Sequence, residues 1–178
     1  MSKIILINDN VFVKDMLEEV NLSPANWLID TNRQKKINVQ KETQTINLVW
    51  GKLPAGTEPT IRALQASHLY EKTPLYNHYP SITNWLLKTF PKGLSRIAII
   101  KLPPDGQVYP HTDFGEYYRA RDRFHLVLSG EYMYYVDDES IHAKEGMLFW
   151  FDNNLVHHSK NISKTDRIAV VFDVEKVT

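Results

Sequence analysis

An imidazole, a carboxylate two residues later, a distant second imidazole and an arginine ten residues beyond that stand out by type and spacing. They are His111, Asp113, His157 and Arg167. Two histidines and one carboxylate on one face of an octahedral ion leave coordination positions open, which is the ligand set of non-haem Fe(II) oxygenases. A planar guanidinium suits a two-oxygen grip on a carboxylate, so the arginine could hold a dicarboxylate co-substrate beside such a metal.

Each residue has a plainer alternative. On an extended segment positions i and i+2 point to the same face, so His111 and Asp113 can reach one cation together; an isolated H-x-D is equally a surface hydrogen bond. The pair follows the Pro103-Pro104-Asp105-Gly106 turn and sits at a strand start, where a ligand at a barrel mouth is expected. For the second histidine, His157 and His158 are adjacent and cannot both face one metal from an extended chain. Parity alone allows either; the step to Arg167 and the aromatic strand before it favour His157, on a loop fed into the barrel mouth.

Arg123 and His125 share a strand face with Val127, and Arg167 shares one with Ala169 and Val171. A charged arginine within an apolar strand is costly unless it meets an anion. The alternative is that these arginines lie at strand ends and reach solvent, Asp122 or Asp166. That alternative is weaker for Arg167 and stays open for Arg123 and His125. The basic run Arg119-Ala120-Arg121-Asp122-Arg123 reads as a solvated strand entrance that could draw in an anionic substrate. His68, His78 and His142 have no partner at metal spacing and read as ordinary histidines.

The elements that must position these residues fall into two textures. Before residue 94 come a short strand at Ile4–Ile7, a helix over 11–20, a second helical start with Ser23 as cap and Pro24 at its first position, a strand over 43–50, and a helix from Pro80 to Phe90 with Trp85, Leu86 and Phe90 on its buried side. Residues 60–80 have no clear pattern. From Leu94 onward, short strands with turn residues between them recur at roughly 8–12-residue spacing, which indicates an all-β barrel or sandwich. They are 95–102, 107–109, 124–128, 132–136, 141–142, 147–151 and 167–174. The expected architecture is mainly β with N-terminal helices (α+β), one domain over 1–178, with residues 1–93 as a helical and strand buttress and 94–175 as a jelly-roll core.

Composition narrows the classes. The chain has 178 residues, enough for one domain with a real core. Lys plus Arg and Asp plus Glu are balanced at 21 each, so no basic excess points to nucleic acid. With no cysteine, neither disulfides nor thiolate metal sites exist. No stretch reaches the ~18 consecutive apolar residues of a membrane span, and the N-terminal apolar run is too short for a signal peptide. A soluble cytoplasmic protein is the expectation.

The motifs in order resemble the aspartyl/asparaginyl β-hydroxylase family of Fe(II)- and 2-oxoglutarate-dependent oxygenases, over roughly residues 95–174. Leu102 to Gly106 followed by Pro110-His111 is similar to the family's approach to its first ligand, and Arg123-x-His125-Leu126 to its R-x-H-L strand. Gly146, Phe151-Asp152-Asn153 and His157 resemble its lead into the second histidine; Asn161 and Arg167 through Asp173 resemble its closing strand. The resemblance implies a double-stranded β-helix, cupin-like, holding iron through His111, Asp113 and His157. It also implies 2-oxoglutarate on Arg167, with Arg123 and His125 at or near it, and O2 as the oxidant. The implied reaction hydroxylates a C–H of an amino acid, free or within a peptide or protein, releasing succinate and CO2. The best-known animal enzyme of the family lacks the triad carboxylate, which Asp113 supplies here, so the chemistry carries over better than the substrate. Two other classes compete: a non-catalytic cupin-like module binding a metal or small ligand, and a zinc hydrolase using the same ligands.

Overall fold

The computed structural model describes residues 2–176. Eleven strands run in order: β1 (Ile4–Asn8), β2 (Gln44–Gly51), β3 (Tyr70–Lys72), β4 (Leu94–Leu102), β5 (Gln107–His111), β6 (Arg121–Ser129), β7 (Tyr132–Val136), β8 (Glu139–Ala143), β9 (Leu148–Phe151), β10 (His157–Asn161) and β11 (Arg167–Glu175). They form a seven-stranded sheet, β1-β9-β6-β11-β4-β2-β3, and a four-stranded sheet, β5-β10-β7-β8, every pair antiparallel. Strands β4 to β11 thus alternate between the sheets in jelly-roll order, save for the β7–β8 hairpin, which lies wholly in the smaller one.

The burial pattern of the large sheet explains its runs of apolar residues. A strand covered on both faces is apolar throughout instead of alternating, and β4 is buried at nearly every position. Ile97 and Ile99 of β4, Leu126 and Leu128 of β6, and Ile168, Val170 and Phe172 of β11 face outward into the main core. That core is completed by Met16 and Val20 of α1 (Lys14–Leu22) and by Ile82 and Leu86 of α4 (Pro80–Thr89). Each fully buried aliphatic here contributes roughly 1.5–3 kcal/mol. The opposite face of the same strands, with Ala98, Ile100 and Val171, turns to the interior between the sheets. The far end of that interior is plugged by Tyr132, Tyr134, Phe149 and Phe151.

The N-terminal region differs from the expected helical buttress. Its helices are few and short: α1, α2 (Asn32–Lys36), α3 (Ile61–Ala66) and α4, with single 3₁₀ turns between them. A fifth, α5 (Glu116–Arg119), lies in the loop after β5. Residues before 94 instead supply β1, β2 and β3, which widen the large sheet on both sides. Ser23 does not cap a second helix; its side chain makes no capping bond and only a 3₁₀ turn follows. What fixes α4 is a carboxylate from its neighbour. Both Glu19 oxygens accept the Ser81 N–H, at 2.8 and 3.0 Å, placing negative charge at the positive end of the helix. None of the helices is long and apolar enough to cross a membrane.

The run 119–123 is a solvated entrance only in part, for Arg119 and Ala120 are exposed ahead of β6 whereas the next arginine is not. Arg121 is buried, lies over the Tyr117 ring at 4.1 Å and pairs with Glu175 at 3.0 Å. Strand β10 was not legible either, as its sequence HHSKN has no β-branched or aromatic residue. Its end is anchored by Asn161, which is fully buried. The Asn161 amide donates to the carbonyls of Leu102, Pro103 and Thr165 at 2.9–3.0 Å, while its oxygen accepts from the Ser163 N–H and hydroxyl. One side chain therefore ties the β4–β5 turn to the β10–β11 turn. Asn161→Ala strands several buried carbonyls and should cost about 3 kcal/mol, read as a lower urea midpoint at unchanged m-value. A loss below ~1 kcal/mol would show that water replaces the amide.

At the β6–β7 turn Gly130 has φ 75°, and a Cβ there would stand 3.1 Å from the Cα of Arg167. Only glycine allows the turn to close this tightly against the start of β11.

Candidate metal centre and anion pocket

The register of the small sheet brings the two histidines together. His111, the last residue of β5, lies opposite His157, the first residue of β10. Their ring centroids are 4.4 Å apart. Asp113 lies two residues past the end of β5, in the loop, so alternation along a strand is not what aims it. Its backbone N–H donates to the Asn153 carbonyl at 3.0 Å, tying that loop to the β9–β10 loop. The ligand-type atoms of His111, Asp113 and His157 all lie within 4.8 Å of one another.

Both rings are held by the nitrogen that faces away from the centre. His111 Nδ1 lies 2.7 Å from the Tyr109 carbonyl, and His157 Nδ1 lies 2.9 Å from the Leu155 carbonyl. A carbonyl accepts only, so Nδ1 carries the proton in each ring and Nε2 keeps a lone pair for a cation. His157 Nε2 is 3.7 Å from Asp113 Oδ2. Burial pushes the His157 imidazole down to about 4 despite the Asp113 carboxylate beside it, so the ring is neutral at physiological pH. His158 stacks on Tyr135 at 4.4 Å and lies outside the cluster.

Arg123 is committed within the protein. Its Nε and Nη2 grip both oxygens of buried Asp173 at 2.7 and 2.8 Å, and its Nη1 donates to Asp113 Oδ2 at 2.7 Å. Asp173 is locked in turn by the Tyr117 hydroxyl at 3.1 Å. Burial raises the Asp113 pKa, but Arg123, followed by the two histidines, outweighs it and leaves the carboxyl below its usual range. The arginine of the R-x-H-L strand therefore steadies the triad carboxylate. His125 is buried among Tyr134, Phe149 and Phe151, with Nδ1 3.0 Å from the Tyr132 hydroxyl. Burial, then the charges of Arg167 and Arg123, push its pKa well below the ordinary histidine value.

Arg167 is only 1% exposed and has no carboxylate within ion-pair distance among the described residues. Its Nη2 reaches the Ser159 hydroxyl at 3.4 Å, its guanidinium carbon sits 4.4 Å from the centroid of the Tyr132 ring, and its Nε has no partner. Burial lowers its pKa, with no anion to offset the penalty. Arg167, Ser159, His125 and the two triad histidines line one interior cavity of about 60 Å³, walled by Ile100, Val108, Phe151 and Val171. A wider cleft of about 380 Å³ adjoins it and is lined by His111 and Asp113 as well.

The structure thus gathers His111, Asp113, His157, His125 and Arg167 around one space, with Arg123 supporting the carboxylate. Sequence reasoning overlooked Asp173, Ser159 and the cleft residues Arg33, Gln40 and Asn47. For Asp173 a signal existed, because an aspartate within an otherwise apolar β11 needs a cationic partner as much as an arginine does.

Among solved structures the chain is similar to a predicted oxalate decarboxylase from Thermotoga maritima, with 13% identity, 75% of this chain and 81% of that chain covered, and a TM-score of 0.44. It is also similar to AerE from Microcystis aeruginosa (16% identity, 46% and 36% covered, TM-score 0.39) and to a cupin superfamily protein from Desulfitobacterium hafniense (17%, 46% and 67%, 0.37). No curated protein matches the sequence. The sequence matches the aspartyl/asparaginyl β-hydroxylase family over residues 28–177, and the protein belongs to that family.

Proposed function

We propose that the protein is an Fe(II)- and 2-oxoglutarate-dependent oxygenase that hydroxylates a C–H of an amino acid, free or within a peptide. The observation that carries this reading is Arg167, a fully buried guanidinium without a counter-anion among the described residues, in the same cavity as His111 and His157 of the His111–Asp113–His157 cluster. A metal-binding module has no use for such a group, whereas a dicarboxylate bound to the metal at one end needs one at the other.

The donor set fits the cation. Two neutral imidazoles with inward Nε2 atoms and one ionised carboxylate form a two-histidine, one-carboxylate site. The Leu155 and Tyr109 carbonyls fix the ring orientations, and Arg123 fixes the carboxylate. Arg167 and the Ser159 hydroxyl would bind the distal carboxylate of 2-oxoglutarate, a charge-assisted pair whose strength grows in a dry pocket. Ile100, Val108, Phe151 and Val171 give that pocket an apolar wall. Bound iron, with the keto acid and O2, would supply the oxidising power for C–H cleavage, yielding succinate and CO2 as co-products.

The test is anaerobic absorption spectroscopy of Fe(II)-loaded protein titrated with 2-oxoglutarate. A weak visible charge-transfer band that saturates with the keto acid is expected, and it should be absent from His111→Ala. If folded protein of verified iron content shows no band, the co-substrate assignment falls and a metal-binding module remains.

A further inference from the structure

The wider cleft is lined by the triad side on one flank, through His111, Asp113 and Arg123, and by residues 30–40 and β2 on the other. Two opposite kinds of unmet polar group belong to residues that line it. The first is cationic. The Arg33 guanidinium, on α2, makes no hydrogen bond and no ion pair among the described residues, though it lines both the cleft and the inner cavity. Burial lowers its pKa and the positive charge of Arg123 adds to that effect, while Tyr118 and the carboxylates of Asp113 and Asp30, none at ion-pair distance, offset it only in part. Arg96, which is buried where Arg33 is only half-buried, adds a second cation, resting on the Tyr117 ring at 3.7 Å and bonded to the carbonyls of Leu64 and Ser67 instead of a carboxylate.

The second kind is a cluster of acceptors. Gln40 Oε1 and Asn47 Oδ1 are buried without partners. The Asn47 amide donates to Asp30 Oδ2 at 3.0 Å, so its oxygen is the end left free. Asp30, whose other oxygen takes the Asn32 N–H at 2.9 Å, brings a full negative charge to the same rim. Buried polar atoms as a rule have partners. Water could serve the two amide oxygens, but water does not neutralise a guanidinium.

We propose that this cleft takes the primary substrate as a free α-amino acid, its carboxylate on Arg33 and its ammonium at Asp30 and the Asn47 carbonyl. The proposal rests on the oxygenase reading for its chemistry, though not for its binding. A residue inside a peptide chain offers neither backbone charge and would leave both groups unmet. A simple dicarboxylate would satisfy Arg33 and leave the acceptors empty. The zwitterion satisfies both and lies beside the metal-facing residues His111 and Asp113.

Calorimetric titration of the free proteinogenic L-amino acids tests this. The protein carries Fe(II) and 2-oxoglutarate without O2, and each amino acid is compared with its N-acetyl and C-amide derivatives and with a short peptide containing it. At least one free amino acid should bind, and either blocking group should weaken it. Arg33→Met should weaken it by roughly thirtyfold or more, measured at 2-oxoglutarate concentrations that saturate the charge-transfer band of the variant itself. Asp30→Asn should weaken the free amino acid and leave the N-acetyl derivative unaffected. The proposal is overturned if no free amino acid binds, if the peptides bind as tightly, or if Arg33→Met binds like the wild type. If an amino acid binds but no band ever forms, the oxygenase reading fails and the amino-acid site stands.

Discussion

Arg167→Met should weaken 2-oxoglutarate binding by roughly thirtyfold or more and leave the protein about as stable as before. The two halves of this result have separate causes. A guanidinium that pairs with a buried carboxylate and is then truncated typically costs 2–5 kcal/mol or more of affinity, roughly thirtyfold to several thousandfold. Stability runs the other way. Arg167 is desolvated in the folded protein with no anion among the described residues to repay that cost, and replacing a buried charge with an apolar side chain of similar length is neutral or stabilising by about 1–4 kcal/mol. Against this stands the cation–π contact with Tyr132, at most about 2 kcal/mol, and one long bond to Ser159. Urea unfolding and calorimetry of the same sample read both halves. If the variant loses several kcal/mol of stability, Arg167 is a structural residue; if it binds 2-oxoglutarate like the wild type, the cavity holds something else.

The second large effect separates two neighbours. His157→Ala should lose Fe(II) affinity well beyond the ~10–100-fold that changes around a metal's ligands cause, because Nε2 of this ring faces Asp113 across 3.7 Å. His158→Ala should bind iron within about threefold of wild type and lose only its stacking on Tyr135, at most about 1.5 kcal/mol. Iron content after gel filtration, with folding checked by circular dichroism, decides between them. Loss of iron in His158→Ala with retention in His157→Ala would reverse the assignment.

Much of this arrangement is readable from residue order because turn chemistry and strand-face alternation are local. The faces of β6 and β11 follow from spacing alone: Arg123, His125 and Arg167 turn inward while Leu126, Val170 and Phe172 enter the outer core. What is not local is not readable. Strand β10 owes its conformation to two neighbours, β5 and β7, and its alternation places polar His157, Ser159 and Asn161 inside, the inverse of an ordinary strand. Polar groups at period two are the one signal that could have exposed it. Residues 30–47 give no such signal, because Arg33 and Gln40 matter only through a cleft assembled from distant segments. The commitment of Arg123 to Asp173 spans fifty residues of chain and likewise depends on the pairing of β6 with β11.

Strand β11 is the last strand among the described residues and yet the middle strand of the large sheet, seated between β4 and β6. On the ribosome, therefore, the sheet emerges as two half-sheets, β3-β2-β4 and β6-β9-β1, each presenting an apolar, unpaired edge to the other across a gap one strand wide. Neither half can close onto the other until β11 has been made, so the sheet is sealed late and through long-range pairings, which slow folding. Nascent copies crowded on one messenger would be prone to cross-pair through those edges. A premature stop codon ahead of residue 167 would yield not a smaller enzyme but two unsealed fragments of sheet.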